Sequence, residues 1–232
     1  MPLCSCCRNP RIEGTNSFFS RFSKSYAKKF RKKGLEKTQK FLLEGVKIGL
    51  REKDRPGESP LRDKTILDVG CGVGALHLTM LREGASRALG VDISEGMLEK
   101  ARAFSSDMGL ENQVEYLNAD FVSLQEGPGA GKADVLLMDK VVCCYEDVEA
   151  LMEKAMRQTG TVFALSHPRD RSVLKFAFRA QIFFARLFRF RFHPCWHSWP
   201  RVHGMLEQAG FKRVYSNRTF VWDVSAYRLP GA

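Results

Sequence analysis

The sequence predicts an α/β fold whose core is a mostly parallel sheet of seven strands. Three observations support this: apolar runs alternate with helical stretches from residue 64 onwards, a glycine-rich loop follows the first run, and two alternating runs close the chain. Strands that alternate with helices imply crossover connections and therefore parallel neighbours. With 232 residues, 44% hydrophobic and 27% charged, the chain can bury a core and is not wholly disordered.

The pattern places each of the seven strands and the main helices. The five buried runs of the parallel part are Thr65–Val69, Arg87–Val91, Val114–Leu117, Val135–Met138 and Thr161–Leu165. The helices expected after some of them are Ala75–Glu83, Glu95–Met108 and Asp147–Arg157. The two closing runs, Lys212–Asn217 and Thr219–Arg228, have about one residue between them, so they predict an antiparallel hairpin on one edge of the sheet.

The residues before the sheet divide into a tail and a helical segment. The tail shows no period and is predicted to be flexible. The helical segment has apolar residues at helical spacing, with Gly34 dividing it into two helices, and it ends in a polar linker that holds Pro56 and Pro60. The predicted domains are the tail 1–16, the helices and linker 17–63, and the main domain 64–232 with an insertion at about 170–200.

Basic charge is concentrated at the two ends of the chain. Residues 1–63 carry 16 Lys and Arg against 7 acids, residues 64–168 carry 9 against 16, and residues 169–232 carry 12 against 3. Such ends can meet nucleic acid, anionic lipid or an anionic small molecule, or can simply be solvated. The odd number of cysteines, seven, predicts a reducing compartment, the cytoplasm. The basic composition of residues 1–35 leaves an organelle transit peptide open.

The strongest functional signal is the loop Asp68-Val-Gly70-Cys71-Gly72-Val-Gly74, which follows the first strand and opens a helix. Glycines at alternate positions let the backbone turn tightly and approach a ligand, and the helix N-terminus offers free N–H groups. The third glycine comes one residue early for the dinucleotide-binding fingerprint, and the Lys-Ser or Lys-Thr of a phosphate-binding loop is absent. By itself the loop predicts a ligand site without identifying the ligand.

Acidic residues at strand ends strengthen this signal. Asp68, Asp92, Asp120 and Asp139 stand at or just after the ends of the first four strands. These ends share the edge of a parallel sheet at which doubly wound folds bind ligands, and a carboxylate there, such as Asp92, can accept hydrogen bonds from a ribose diol. A helix N-cap role is the alternative for each of the four.

Together these residues resemble the class I S-adenosylmethionine-dependent methyltransferases, from about Thr65 to Leu165 and again in the closing hairpin. The resemblance implies a Rossmann-like sheet with a reversed edge strand, an enzyme that transfers a methyl group, and S-adenosyl-L-methionine as its cofactor. It also implies contacts to the methionine part, the ribose and the adenine, and these fall on Asp68, Gly70, Cys71, Gly72, Gly74, Asp92, Ile93, Met97, Asp120 and Phe121. The segment 135–145, which includes Asp139, would lie beneath the transferable methyl group.

The helices of residues 17–46 are similar to the lid that closes over the cofactor in this family. The lid interpretation is preferred to the transit peptide because the helical pattern continues towards the main domain. We expect Tyr26 or Lys33 near the methionine end of the cofactor.

The acceptor is expected to be a small molecule. The Asn/Asp-Pro-Pro-aromatic motif of base N-methylation is absent after the fourth strand, and Pro194-Cys195 stands in the wrong setting for RNA cytosine methylation. The segment after the fourth strand is loosely similar to enzymes related to the magnesium-protoporphyrin methyltransferases, whose substrate is not carried over. A proton-accepting residue is expected among His167, His193, Asp139 and Tyr145. No metal is expected, because His193, Cys195 and His197 fall short of the roughly four ligands of a closed site.

Residues 171–193 predict a basic amphipathic helix inserted after the fifth strand. At about 100° per residue the basic side chains share an arc of roughly 80°; they are Arg171, Lys175, Arg179, Arg186 and Arg189. The phenylalanine side, including Phe176, Phe183 and Phe184, is expected to cover the acceptor as a cap. A membrane-surface helix acting on a lipophilic substrate and a face for RNA are the alternatives, and a non-catalytic binding protein is the least favoured.

Overall fold

The computed structural model describes residues 10–51, 57–125, 131–187, 192 and 194–231. Its centre is one seven-stranded sheet with the order β3-β2-β1-β4-β5-β7-β6. The strands are β1 Thr65–Val69, β2 Arg87–Asp92, β3 Val114–Asn118, β4 Ala133–Asp139, β5 Thr159–Pro168, β6 Lys212–Arg218 and β7 Trp222–Arg228. The first five are parallel, and β7 pairs antiparallel with both β5 and β6. The predicted fold class, including the antiparallel hairpin, is confirmed.

Seven helices flank this sheet in the described part of the chain. They are α1 Pro10–Lys33, α2 Lys37–Leu50, α3 Ala75–Arg82, α4 Glu95–Asp107, α5 Val148–Arg157, α6 Ser172–Leu187 and α7 Trp199–Gln208. None of the helices in this part of the chain combines the length and the apolar character needed to cross a bilayer.

The sheet is buried on both faces. On one face α2 crosses β5, β7 and β6 so closely that a Cβ at Gly45 would lie 2.8 Å from the Tyr215 ring. On the other face α5 and α7 pack around Phe163, Leu165 and Trp199. Apolar residues on both faces explain why the central strands read as continuous apolar runs.

Two predicted boundaries differ from the structure. Residues 10–16 belong to α1 and not to the predicted flexible tail 1–16; Gly14 and Thr15 are buried although their stretch shows no helical period, so tertiary packing outweighs the local pattern. The strand predicted at Thr161–Leu165 extends to Pro168, because β7 supplies pairing partners along residues 162–168. Residues 1–9, which hold Cys4, Cys6 and Cys7, lie outside the described residues.

The inserted helix after β5 exists as α6, but the prediction for its apolar face is wrong. Phe176 and Phe183 are 75% and 63% exposed and do not cover a cavity. The side of α6 that faces inward carries Leu174 and Phe178 instead. Helical periodicity predicts which residues share a face, but it does not predict which face the rest of the chain covers. Arg189 and His193, and the side chains of Phe184 and Arg186, lie outside the described residues.

Candidate functional site

A cavity of about 380 Å³ lies at the edge of the sheet where the parallel strands end. The loops after β1, β2 and β4 form its floor, and α1 and α6 form its upper walls. Ten of the predicted cofactor residues line it: Tyr26, Asp68, Gly70, Cys71, Gly72, Asp92, Ile93, Met97, Phe121 and Asp139, the last of which is also a predicted base. The acidic residues were expected to meet at the carboxyl ends of the parallel strands. The cavity lies at this same end of the sheet.

The glycine loop between β1 and α3 gives the cavity its floor. Gly70 has φ +66°, and a Cβ at this position would lie 2.4 Å from Val141 Cγ2, so only glycine fits here. Its N–H donates to the Val91 carbonyl at 2.7 Å, which fixes the loop against the end of β2. Gly74 lies outside the cavity lining; with φ +81° it is the N-cap residue of α3.

The Asp92 carboxylate at the end of β2 accepts hydrogen bonds from two backbone N–H groups, one in the glycine loop and one at the start of α4. Its Oδ2 accepts from the Gly72 N–H and its Oδ1 from the Ser94 N–H, each at 2.8 Å. Burial raises the pKa of Asp92 to about 6, although these hydrogen bonds act in the opposite direction. Each carboxylate oxygen can accept a second hydrogen bond, so Asp92 can still receive a diol from the cavity.

Asp68 at the end of β1 is paired with His77, a residue of α3 outside the glycine loop. His77 in α3 places Nδ1 2.8 Å from Asp68 Oδ2, and both side chains are buried. Tyr116 of β3 completes the row, with its hydroxyl 3.1 Å from His77 Nε2. His77 thus holds the orientation of an acid that borders the cavity.

Asp120 binds Tyr145, which lines the cavity. The Tyr145 hydroxyl donates to Asp120 Oδ1 at 2.7 Å, and Asp120 lines a neighbouring cavity while Phe121 lines the main one. Burial, with the Asp120 carboxylate, raises the pKa of Tyr145 well above its ordinary value. A hydroxyl held in this way does not serve as a base near neutral pH.

Four charged side chains meet at the end of β4: Lys29, Glu36, Asp139 and Lys140. Lys140, with φ +63°, places Nζ 2.7 Å from Glu36 Oε2 and 3.8 Å from Asp139 Oδ2. Lys29 of α1 binds Glu36 Oε1 at 2.6 Å, so this group links α1 and the start of α2 to the loop after β4. Burial raises the pKa of Asp139, against the opposing effects of Lys140 and of the Ser166 hydroxyl, which donates to Asp139 Oδ1 at 2.6 Å.

Helix α1 lies across α4 and closes the cavity from above. Ser20 and Ser94 hydroxyls are 2.9 Å apart, and the Phe30 ring meets the Phe104 ring edge-on. Phe18, Phe19 and Tyr26 line the cavity, whereas Lys33 is exposed at the end of α1 and does not. The predicted Lys33 is therefore not at the cavity, and Lys29 reaches its lining only through Glu36.

Aromatic side chains dominate the wall opposite the glycine loop. Phe178 of α6, Phe192 and Trp222 of β7 line this end, and Phe192 stacks on Phe18 with ring centroids 4.7 Å apart. Pro194 lies in the same wall, and the Cys195 N–H donates to the Cys143 carbonyl at 2.6 Å. The cavity therefore has a polar end at the glycine loop and an aromatic end at α6 and β7.

The prediction that His167 is a candidate base facing the cavity is wrong. Its Nδ1–H donates to the Pro168 carbonyl, so its Nε2 accepts from His203 Nε2 at 2.9 Å, and His203 Nδ1 accepts from the Tyr227 hydroxyl at 2.6 Å. Burial lowers the pKa of His167, and it lowers the pKa of His203 to about 3. Because β5 continues to Pro168, His167 remains within the sheet, stacked on Trp199. His193 lies outside the described residues.

The N-cap alternative does not apply to Asp68, Asp92 and Asp139. The helices that follow β1, β2 and β4 have Gly74, Ser94 and Asp147 as their N-cap residues. The carboxylates of Asp68, Asp92 and Asp139 are therefore left at the cavity. Among the residues that the structure describes, no group of three or more histidine, cysteine and acidic side chains is placed to hold a metal ion.

A sequence model of a methyltransferase domain family matches residues 66–160. Residues 66–160 form a methyltransferase domain. This finding and the fold confirm the predicted family, and proteins of this family use S-adenosylmethionine, the predicted cofactor. The methyltransferase domain spans β1 to the start of β5 and contains the glycine loop and all four strand-end acids.

Known methyltransferases are similar over part or all of the chain. A 23S rRNA uracil methyltransferase of Shewanella halifaxensis is 31% identical over 112 residues, which cover 47% of this chain and 24% of that protein. A ribosomal protein L11 methyltransferase of Aeromonas hydrophila is 39% identical over 107 residues, 46% of this chain and 34% of that one. The chain thus spans about a quarter to a third of the length of these curated relatives.

One solved methyltransferase matches the fold over nearly the whole chain. The magnesium protoporphyrin IX methyltransferase of Synechocystis, crystallised with S-adenosylmethionine, covers 97% of this chain and 99% of its own, with a TM-score of 0.64 and 17% identity. At this identity the likeness shows the fold, including helices before and after the matched domain.

Proposed function

We propose that the protein transfers the methyl group of S-adenosylmethionine to a small acceptor with a largely apolar body. One observation carries the proposal: a single cavity has the glycine loop and Asp92 at one end and aromatic rings at the other. Because both ends belong to the same space, an acceptor held by the rings would meet a cofactor held by the loop.

The polar end fits the cofactor. A Cβ at Gly72 would meet nothing within 4 Å, so the cavity is open to a ligand against the loop there, and Asp92 can accept hydrogen bonds from ribose hydroxyls. We assign Ile93 and Met97 to the adenine, since both line the cavity beyond Asp92. The bound cofactor supplies a methyl group on a positively charged sulfur, which is already activated for displacement.

The aromatic end fits a small apolar acceptor. Phe178, Phe192 and Trp222 present ring faces and edges, which bind apolar and aromatic bodies and exclude water. Exclusion of water and alignment of acceptor and methyl group are the main contributions that a protein makes to such a displacement. The lid helix α1 supplies Phe18 and Phe19 to the same enclosure.

Asp139 is the proposed base of the reaction. It lines the cavity at the junction of the two ends, and its raised pKa brings its proton affinity closer to neutral pH, where general bases act best. A hydroxyl or ammonium acceptor would pass its proton to this carboxylate, which Ser166 holds in place from behind. A thiol acceptor can arrive ionised and would need no base.

The relatives that modify RNA and a ribosomal protein do not change this proposal. Their similarity covers less than half of this chain, whereas the aromatic wall comes from α1, α6 and β7.

Transfer of labelled methyl groups tests the proposal on the whole protein. We expect product with a small phenol, carboxylate or thiol from a panel, and none above background with ribosomal RNA or ribosomal protein. Phe178→Ala should raise the KM of the acceptor about tenfold through lost ring contact, with the KM of the cofactor unchanged. Phe176→Ala, on the outer side of the same helix, is the matched control and should change neither. Efficient methylation of RNA or protein, or equal effects of both variants, would disprove the proposal.

A further inference from the structure

Helix α6 has three distinct sides. Phe178 and Gln181 line the cavity, and Leu174 is buried. On the side turned away from the cavity, four apolar residues share an arc of roughly 80° at about 100° per residue; they are Val173, Phe176, Phe183 and Leu187, with exposed fractions of 61% to 75%. Lys175 and Arg179 lie between these two sides. A helix that covers a cavity therefore presents a second apolar side to the surroundings.

The lid helix α1 adds basic and aromatic groups at the mouth of the cavity. Phe18 and Phe22 are about two-fifths exposed, and their rings lie 5.0 Å apart. Arg21, Lys24 and Lys28 are exposed on the same helix, whose sequence contains one acid, Glu13. Phe18 also lines the cavity and stacks on Phe192, so the exposed rings continue directly into the aromatic end of the site.

We propose that the outer side of α6 and the exposed side of α1 dock the protein on an anionic membrane surface. An apolar stripe inserts at the boundary between headgroups and acyl chains, and cations beside it meet lipid phosphates; the two helices offer both. The surrounding sequence adds charge of the same sign, with 12 basic residues against 3 acids in residues 169–232.

Charge distinguishes the membrane from the other occupants of such a face. A second copy of the chain would oppose Arg179 of one copy to Arg179 of the other, whereas Lys175 is paired with Asp170 within each copy. Nucleic acid would pair with the cations but would leave Val173, Phe176 and Leu187 in water or against phosphates. A bilayer that contains anionic lipid satisfies the apolar and the basic groups together.

Docking would also define how an acceptor arrives, a consequence that rests on the proposed function. The mouth between α1 and α6 would lie against the lipid, and an acceptor dissolved in the bilayer could enter the aromatic end without crossing water. The docking itself does not depend on methyl transfer and is tested without it.

Co-sedimentation of the whole protein with lipid vesicles tests the proposal. We expect binding to phosphatidylcholine vesicles that contain about 30% phosphatidylglycerol, at least tenfold weaker binding to phosphatidylcholine alone, and release by salt. Val173→Gln with Phe176→Gln should weaken binding at least tenfold, whereas Val214→Gln, an exposed valine on β6, should leave it unchanged. The double variant Lys24→Gln with Lys28→Gln should weaken vesicle binding about twentyfold. The double variant Arg87→Gln with Lys132→Gln removes equal charge at the end of the sheet where β2 and β4 begin, away from the cavity, and should leave vesicle binding unchanged.

Unchanged circular dichroism and cofactor affinity would show that each variant is folded. Absence of vesicle binding, or equal loss in the test and control variants, would overturn the proposal. A dimer in light scattering that Phe176→Gln dissociates would assign the face to a second copy, and salt-sensitive RNA binding without vesicle binding would assign it to nucleic acid; either would overturn it. Cofactor binding or methyl transfer to a water-soluble acceptor would persist in all these cases, so the two proposals fail separately.

Discussion

The Asp92 carboxylate ties the end of β2 to the glycine loop, because its Oδ2 accepts a hydrogen bond of 2.8 Å from the Gly72 N–H. The same carboxylate lines the cavity at the point proposed for the ribose. One side chain therefore sets the position of the loop and offers the remaining acceptor sites to the ligand, and changes at Asp92 should affect binding through both.

Replacement of Asp92 should weaken cofactor binding strongly. Asp92→Ala removes the acceptors of the ribose hydroxyls, and a hydrogen bond to a charged group is worth about 1.5–3 kcal/mol, or roughly 10- to 150-fold in affinity. Calorimetry with S-adenosylmethionine and with its demethylated product measures the effect. Glu99→Ala, which removes an exposed carboxylate of α4, is the control and should bind normally. Equal affinity in the two variants would contradict the assignment of the cavity.

Cofactor affinity should depend on pH through the same residue. Burial raises the pKa of Asp92 to about 6 in the free protein, and hydroxyl donors favour the ionised form, so binding lowers this pKa. Affinity for the demethylated product should therefore be constant above about pH 7 and fall by up to tenfold per unit below about pH 6. Calorimetry between pH 5 and 8 checks the sign. A flat profile, or affinity that falls as the pH rises, would show that Asp92 does not bind as an anion.

Asp139→Asn should separate the chemical step from binding. The amide keeps the shape of the side chain but cannot accept a proton, so kcat for a hydroxyl acceptor should fall by about 10²- to 10⁴-fold. Cofactor affinity should stay within a few-fold of the parent value. Tyr145→Phe is the comparison, since its hydroxyl is engaged with Asp120 and its loss should lower kcat much less. Nearly full activity of Asp139→Asn would point to an acceptor that arrives ionised, such as a thiol.

The buried row His167, His203 and Tyr227 should make the fold sensitive to acid. Burial lowers the pKa of His203 to about 3, whereas an unfolded histidine titrates near 6.5. The unfolded chain therefore binds the proton first, and the stability contributed by neutral His203 is complete above about pH 6.5 and is lost as the pH falls towards 3. Denaturant titrations at several pH values should show this loss. His203→Gln should reduce the slope of stability against pH; an unchanged slope would exclude the histidine as its source.

The sequence predicted the sheet and the floor of the site well for a physical reason. Strand ends of a parallel sheet meet at one edge, so Asp68, Asp92 and Asp139 could be brought together from spacing alone. Pairings between side chains far apart in sequence, such as Asp120 with Tyr145 or Asp68 with His77, depend on packing that no local pattern encodes.

His167 and α6 show the same limit of sequence patterns in another form. His167 stands near a predicted strand end, but antiparallel pairing with β7 extends β5 past it and keeps it inside the sheet. The spacing of α6 defines its faces, but burial depends on the other elements that pack nearby, so the exposed Phe176 could not be predicted from spacing.

Gly96→Ala should test whether α1 is a lid, because it acts on α1 and on α4 in opposite directions. A Cβ at Gly96 would lie 2.9 Å from Ser20 Cβ and 3.0 Å from Ser20 Cα, so α1 must move away from α4. Within α4 the alanine is the better helix former, by about 1 kcal/mol. The main domain should therefore melt no earlier than the parent, while cofactor affinity falls and amide exchange in α1 becomes faster.

Gly204→Ala in α7 is the matched control for this test, since a Cβ there meets nothing within 4 Å. It should stabilise the protein without changing cofactor affinity or exchange in α1. In the parent, binding of the demethylated product should slow exchange across residues 18–33 as well as around the glycine loop, as expected for a segment that closes over a ligand. Protection confined to residues 68–120, or normal cofactor affinity in Gly96→Ala despite faster exchange in α1, would show that α1 is an appendage and not a lid.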